Sequence, residues 1–150
     1  TRVLEGRLSA EGKNNIRVML RAVSEIESVA DSCNNIAKII KRRNDAKSHF
    51  TDEQNHNIEH MLALTDAAIV HMNDILHRQT GTREDMALSY NMENEINSYR
   101  NLLKNNNIDN IDNKLYKYSD AIFYMDIISE CEKLGDYVLN VVQAIVEKKL

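Results

Sequence analysis

Two sets of side chains in this sequence have types and spacings that could do chemistry. Glu27, Asp31 and Asn35 lie four residues apart, and Glu132, Asp136 and Asn140 repeat the same pattern. On an α-helix that interval stacks three side chains on one face, each one turn above the last. Two carboxylates at i and i+4 repel mildly on a bare helix. Meeting that repulsion twice, at matching places, points to a compensating cation. The plainer alternative is a solvated or salt-bridged polar edge. Asn35 and Asn140 are better suited to hydrogen bonds between helices than to metal ligation.

The two ladders belong to an internal repeat. When Ser24–Ile40 is compared with the segment 105 residues later, six of the 17 positions are identical: Ser24, Glu25, Glu27, Asp31, Asn35 and Ile40. Ala30 and Gly135 occupy equivalent positions immediately before each Asp. A glycine inside a helix costs about 1 kcal/mol relative to alanine. A close approach by a neighbouring helix or by a ligand cluster would offset that cost.

Other groups could extend such a site. Asp66 and Asp74, then Glu93, and also Asp126 could complete a carboxylate cluster of the kind found in di-metal bundles. The Glu-x-x-His motif of those bundles is not cleanly present in both halves. His56 and His60 form an i, i+4 pair that zinc could use, but position 57 is Asn, so the His-Glu-x-x-His pattern is not met. A surface pair is the simpler reading, and His71 and His77 read as surface or satisfied helix residues. Cys33 and Cys131 fall on apolar stripes and read as buried small hydrophobes. The Lys41-Arg42-Arg43 run could meet phosphate or lipid headgroups, or be a solvated helix end.

Helices must position these groups. The chain has no proline, four glycines and 5% aromatic residues. That composition disfavours a β-sandwich or barrel, which needs many turns and β-branched or aromatic positions. Ile16, Met19, Val23, Ile26, Ala30, Cys33, Ala37 and Ile40 alternate spacings of three and four, which is one face of a helix over about 12–48. Thr51-Asp52-Glu53-Gln54 is a capping box that opens a second helix, with Ile58, Leu62, Thr65, Ile69, Met72 and Leu76 as its stripe. Thr80-Gly81-Thr82 ends it, with Gly81 left-handed and Thr82 capping a third helix that buries Leu88, Met92, Ile96, Tyr99 and Leu103. Asn105-Asn106-Asn107 should break that helix, and a last one should start near Asp109–Asp112 and run to the end. The expected fold is all-α, an up-down bundle of four long antiparallel helices, the first and last longer than the middle two.

The formal net charge of −4 argues against broad nucleic-acid binding. Two cysteines make no disulfide framework and suit a reducing compartment. No stretch approaches the roughly 20 apolar residues that cross a bilayer. No phosphate-cradling glycine loop and no nucleophile placed with a base is present, so an enzyme is not expected. The chain opens at Thr1 rather than methionine, which suits a piece of a larger protein.

At the repeated ladders the sequence resembles the PhoU family. That family carries Glu-or-Asp-x-x-x-Asp on the third helix of each of two three-helix repeats, in a Glu-Arg-hydrophobic-Gly-Asp context, with Asn-Ile-Ala following. Glu132-Lys133-Leu134-Gly135-Asp136 and Asn35-Ile36-Ala37 are similar to it, over about 34 of the 150 residues. Ser28 and Lys133 stand where the family's arginine would be. The resemblance implies one PhoU-like domain over 1–150, with about 12–48 the third helix of a first repeat and about 52–150 a complete second repeat. It also implies metal ions at Glu27 and Asp31 and at Glu132 and Asp136, the metal being iron, zinc, manganese or magnesium. The implied role is a cytoplasmic regulatory module on the inner membrane, joined to the membrane-spanning part of a bacterial sodium/phosphate cotransporter and able to form a homodimer. A free-standing PhoU-type phosphate-signalling or helical interaction protein without metal is the alternative.

Overall fold

The computed structural model describes residues 9–147. The expected continuation of the last helix to the end of the chain lies partly outside that range. Four helices follow in order: α1 (Ala10–Asp45), α2 (Asp52–Arg78), α3 (Arg83–Asp112) and α4 (Tyr118–Val146). They pack against one another as an all-helical bundle, as the apolar spacing predicts. Among the described residues only the first is distinctly long, at 36 residues against 27, 30 and 29, so the last helix does not stand out there as expected.

Local chemistry sets most of the boundaries. Ser9 caps α1 by accepting from the Gly12 N–H. Thr51 and Gln54 form the expected capping box at α2, and Thr82 forms one with Asp85 at α3. Gly81 is not the left-handed residue; Gln79 is, at φ 56°. Gly81 is small for a different reason: a Cβ there would lie 2.5 Å from Val146 Cγ2 of α4. The Asn105–Asn107 break is also absent. Leu103 and Asn107, one turn apart, are both buried, so packing carries α3 through a weak helix-former run to Asp112. The turn after Asn113 then delays α4 to Tyr118, with the Leu115 and Tyr116 N–H groups donating to the Asn110 carbonyl.

α4 is the central helix. Its backbone runs beside α1, α2 and α3, and eleven of its residues are buried. α2, α3 and α4 form a three-helix unit whose centre holds Met61, Ile75, Ile96, Ile128 and Val141. The α1 backbone comes close to that of α4 alone. α1 also turns a different face inward from the one expected. Its buried residues are Ala22, Val29, Ser32, Ile36 and Ile39, one residue back from the expected stripe, or about 100° around the helix. Both faces have three–four spacing, and α4 covers the one that carries Val29, Ile36 and Ile39. Ile16, Met19, Val23, Ile26 and Ile40 are left exposed, and so is Cys33, contrary to its reading as buried. Cys131 is buried as expected. Leu62 of α2 and Leu88 of α3 are likewise more exposed than their stripes suggest. No helix among the described residues is long and apolar enough to cross a membrane.

Candidate functional site

The two repeated helices pack on each other. Asn35 Nδ2 donates to Glu130 Oε1 at 3.0 Å, and Asn140 Nδ2 donates to Glu25 Oε2 at 3.2 Å. These bonds are reciprocal under the sequence repeat, because Asn35 is equivalent to Asn140 and Glu25 to Glu130. Low numbers on α1 face high numbers on α4, so the helices run antiparallel, and Arg21 extends the pairing to Glu147 at 3.2 Å. The midpoint falls at Ala30 and Gly135, themselves equivalent. α1 and α4 are thus related by a local two-fold axis. Asn35 and Asn140 bond between helices, as their type suggests.

That symmetry gives the two ladders equivalent positions and very different surroundings. Glu132 and Asp136 lie at the α3–α4 contact and are partly buried. α3 brings Glu93, Asn97 and Arg100 to them. Arg100 makes an ion pair with Glu132 at 3.5 Å, with only 28% and 18% of the two side chains exposed. Asn97 donates through Nδ2 to the Glu93 carboxylate. Asn97 Oδ1 and Arg100 Nε are buried without a hydrogen-bond partner in the protein. Burial above all, and then the charges of Glu132 and Glu93, push the Asp136 carboxyl up to about 6, with Arg100 pulling the other way. Glu27 and Asp31, by contrast, are exposed on the outer side of α1 and in no ion pair among the described residues.

Gly135 has a packing reason. A Cβ on it would stand 3.1 Å from Ile96 Cδ1, so α3 lies directly on this turn of α4. Of the two explanations open for a glycine there, helix–helix contact is the one seen.

The donors around Asp136 are carboxylates and one amide oxygen, the chemistry of hard cations. Their geometry does not close around an ion. Among the described residues no group of three or more His, Cys, Asp and Glu side chains is gathered closely enough to hold a metal. In this arrangement a guanidinium is the compensating cation at Glu132.

The remaining candidates separate. Asp66 lines an apolar groove between α1 and α2 with Cys33, Leu62 and Ile69. Asp74 pairs with Arg78 at 3.1 Å. Asp126 lines a groove of about 570 Å³ between α1 and α4, with Lys38, Arg42, Glu130 and Lys133. Lys41 pairs with Asp45, and Arg43 stacks on Phe50, so the basic run is partly used locally. His60 meets the Tyr99 ring edge to face, His71 Nε2 contacts the Asp85 carbonyl, and His77 Nδ1 contacts the Asn73 carbonyl. His56 is exposed, and none of these histidines joins the acidic ladders.

Arg100 and Asn97 were not evident as site residues from sequence. The signal was available: Glu93, Asn97 and Arg100 follow i, i+4, i+7 spacing, a polar strip on one face of α3. Comparison of the chain with protein-family models, with curated proteins and with solved structures finds no match.

Proposed function

We propose that this chain is a PhoU-like, non-catalytic regulatory module of a sodium-dependent phosphate transporter. The observation that carries the reading is the duplicated Glu-x-x-x-Asp helix, with the Gly135-Asp136 pair in one copy, built twice into one molecule about a local two-fold axis. The proposal places the module at the cytoplasmic face of the inner membrane, beside the transporter's membrane-spanning part. Metal ions at Glu132 and Asp136, and at Glu27 and Asp31, belong to the same reading. At the first pair Glu132 and Asp136 would hold the ion, with Glu93 and the unpartnered Asn97 Oδ1 as the neighbouring oxygen donors, and the ion would supply the positive charge that Arg100 supplies to Glu132 here, one cation in exchange for another. Such an exchange would alter how α3 packs on α4 and so relay ion occupancy to a partner.

Elemental analysis of the purified protein after loading with manganese, iron, zinc or magnesium tests the metal part. Retained metal that falls away in Glu132→Gln/Asp136→Asn is the expected result. Equal metal content in wild type and double variant removes these residues from the proposal. The transporter part is tested by the sequence preceding Thr1 in the natural gene product, where a block of membrane spans is expected.

A second reading has its own observation. Arg100 already neutralises Glu132, so a free-standing PhoU-type signalling or helical interaction protein needs no metal at this edge. Absence of metal in the wild type, with full folding, favours it.

A further inference from the structure

The local two-fold axis exposes an imbalance on α1. The α4 equivalents of Ile16, Met19, Val23 and Ile26 are Ala121, Tyr124, Ile128 and Cys131, each at most 1% exposed under α2 and α3. On α1 the same four positions are 42%, 63%, 62% and 37% exposed, and Leu20 beside them is 66% exposed. Val23 and its neighbours face away from α4, on the side opposite the buried residues Ala22, Val29 and Ile36. Solvated helix faces do not ordinarily carry five large apolar side chains in a row.

The charges along one flank of this stripe have an order. Lys13 and Arg17 come before it, and Glu27 and Asp31 after it. Arg17 and Glu27 are ten residues apart, about 15 Å along the helix, too far to pair within one chain. None of the four is in an ion pair among the described residues. Where the same acidic flank is covered, on α4, an arginine from the covering helix meets it: Arg100 on Glu132.

We propose that this face of α1 is a docking surface for a second copy of the chain, the two α1 helices pairing antiparallel about an axis near Ala22. Each Arg17 then meets the partner's Glu27, each Lys13 meets the partner's Asp31, and the two apolar stripes interdigitate between them. A parallel pair would put the two charged flanks on opposite sides of the seam, where these residues could not meet. The contact spans about 27 Å of helix, from Lys13 to Asp31. It uses Glu27 and Asp31 as pairing groups in place of the metal ligation proposed for them above, and it does not rest on metal binding at Glu132 and Asp136.

Sedimentation velocity on the 150-residue chain tests this, with charge-swapped variants mixed in pairs. The wild type is expected to dimerise in a concentration-dependent way. Val23→Glu should raise the dimer dissociation constant by at least tenfold with unchanged circular dichroism and melting, since Val23 is largely free of the fold. Arg17→Glu alone and Glu27→Arg alone should each weaken the homodimer about tenfold, while a one-to-one mixture of the two should form heterodimers of wild-type affinity. A wild type that stays monomeric up to about 1 mM leaves the face to some other occupant and overturns the proposal. So does a dimer indifferent to Val23→Glu, or a mixture that associates no better than its components.

Discussion

Asp136 is the most perturbed carboxyl among the described residues, and its environment gives a pH dependence of definite sign. Its folded value, about 6, lies above its ordinary one near 3.8. A raised carboxyl adds stability when protonated, and that contribution is lost as pH rises through the folded value. Asp136→Asn should therefore stabilise the protein at pH 7.5, by about 1 kcal/mol once solvent screening of this partly exposed group is allowed for. The gain should shrink between pH 6 and 4. Urea unfolding at a series of pH values checks it; an equal effect at pH 4 and 7.5 would contradict the assignment. Asp85 has the opposite sign. Arg78 first, and the Thr82 N–H next, hold it down to about 2, so its contribution persists above its ordinary value and is lost only as pH falls towards 2. Gly135 makes a second residue-scale test. Ala at 135 gains about 1 kcal/mol of helix propensity but meets Ile96 Cδ1. Ile96→Val removes that atom, so it should cost less in the Gly135→Ala background than in the wild type, by at least about 0.5 kcal/mol in a double-mutant cycle.

At the scale of the helices, the capped starts of α2 and α3 were legible, and the boundary between α3 and α4 was not. Thr51 with Gln54 and Thr82 were readable because a cap is a local hydrogen bond between near neighbours. The ends depend on what lies across the bundle. Asn107 continues a helix because its position is buried, and Gly81 is required by Val146, 65 residues away. Neither could be read from nearby sequence. The left-handed residues that end up closing the turns are Lys47, Gln79 and Lys114, at φ of 54°, 56° and 58°. Side chains tolerate that region poorly, while glycine does not resist it. Gln79→Gly, a position exposed and outside both acidic ladders, should stabilise the fold by about 0.5–1 kcal/mol in thermal or urea unfolding. A destabilisation would mean that the Gln79 side chain holds the turn in some other way.

Across the whole molecule, the repeat was the most informative feature and the face of α1 the most misleading. Six identities in 17 positions marked two equivalent helices, and the reciprocal Asn–Glu bonds join those helices directly. What the repeat could not say was how much of each copy is covered. α4 has neighbours on three sides and α1 on one, so equal ladders become a partly buried cluster on one side of the axis and an exposed strip on the other. Periodicity alone could not choose between two apolar faces on α1, because the choice rests with the shape of α4. The acidic candidates lie at related positions on two paired helices, and Arg100 entered only with α3.

The proposed role turns on whether the Asp136 cluster exchanges its guanidinium for an ion. Carbon-13 NMR titration of the Asp136 carboxyl, with and without saturating magnesium, measures this directly. The expected result is a midpoint near 6 in the absence of the ion and a fall of at least about one unit with it, because a bound dication favours the ionised form. A midpoint unmoved by magnesium, zinc or a paramagnetic-shift control with manganese would contradict metal binding at this site.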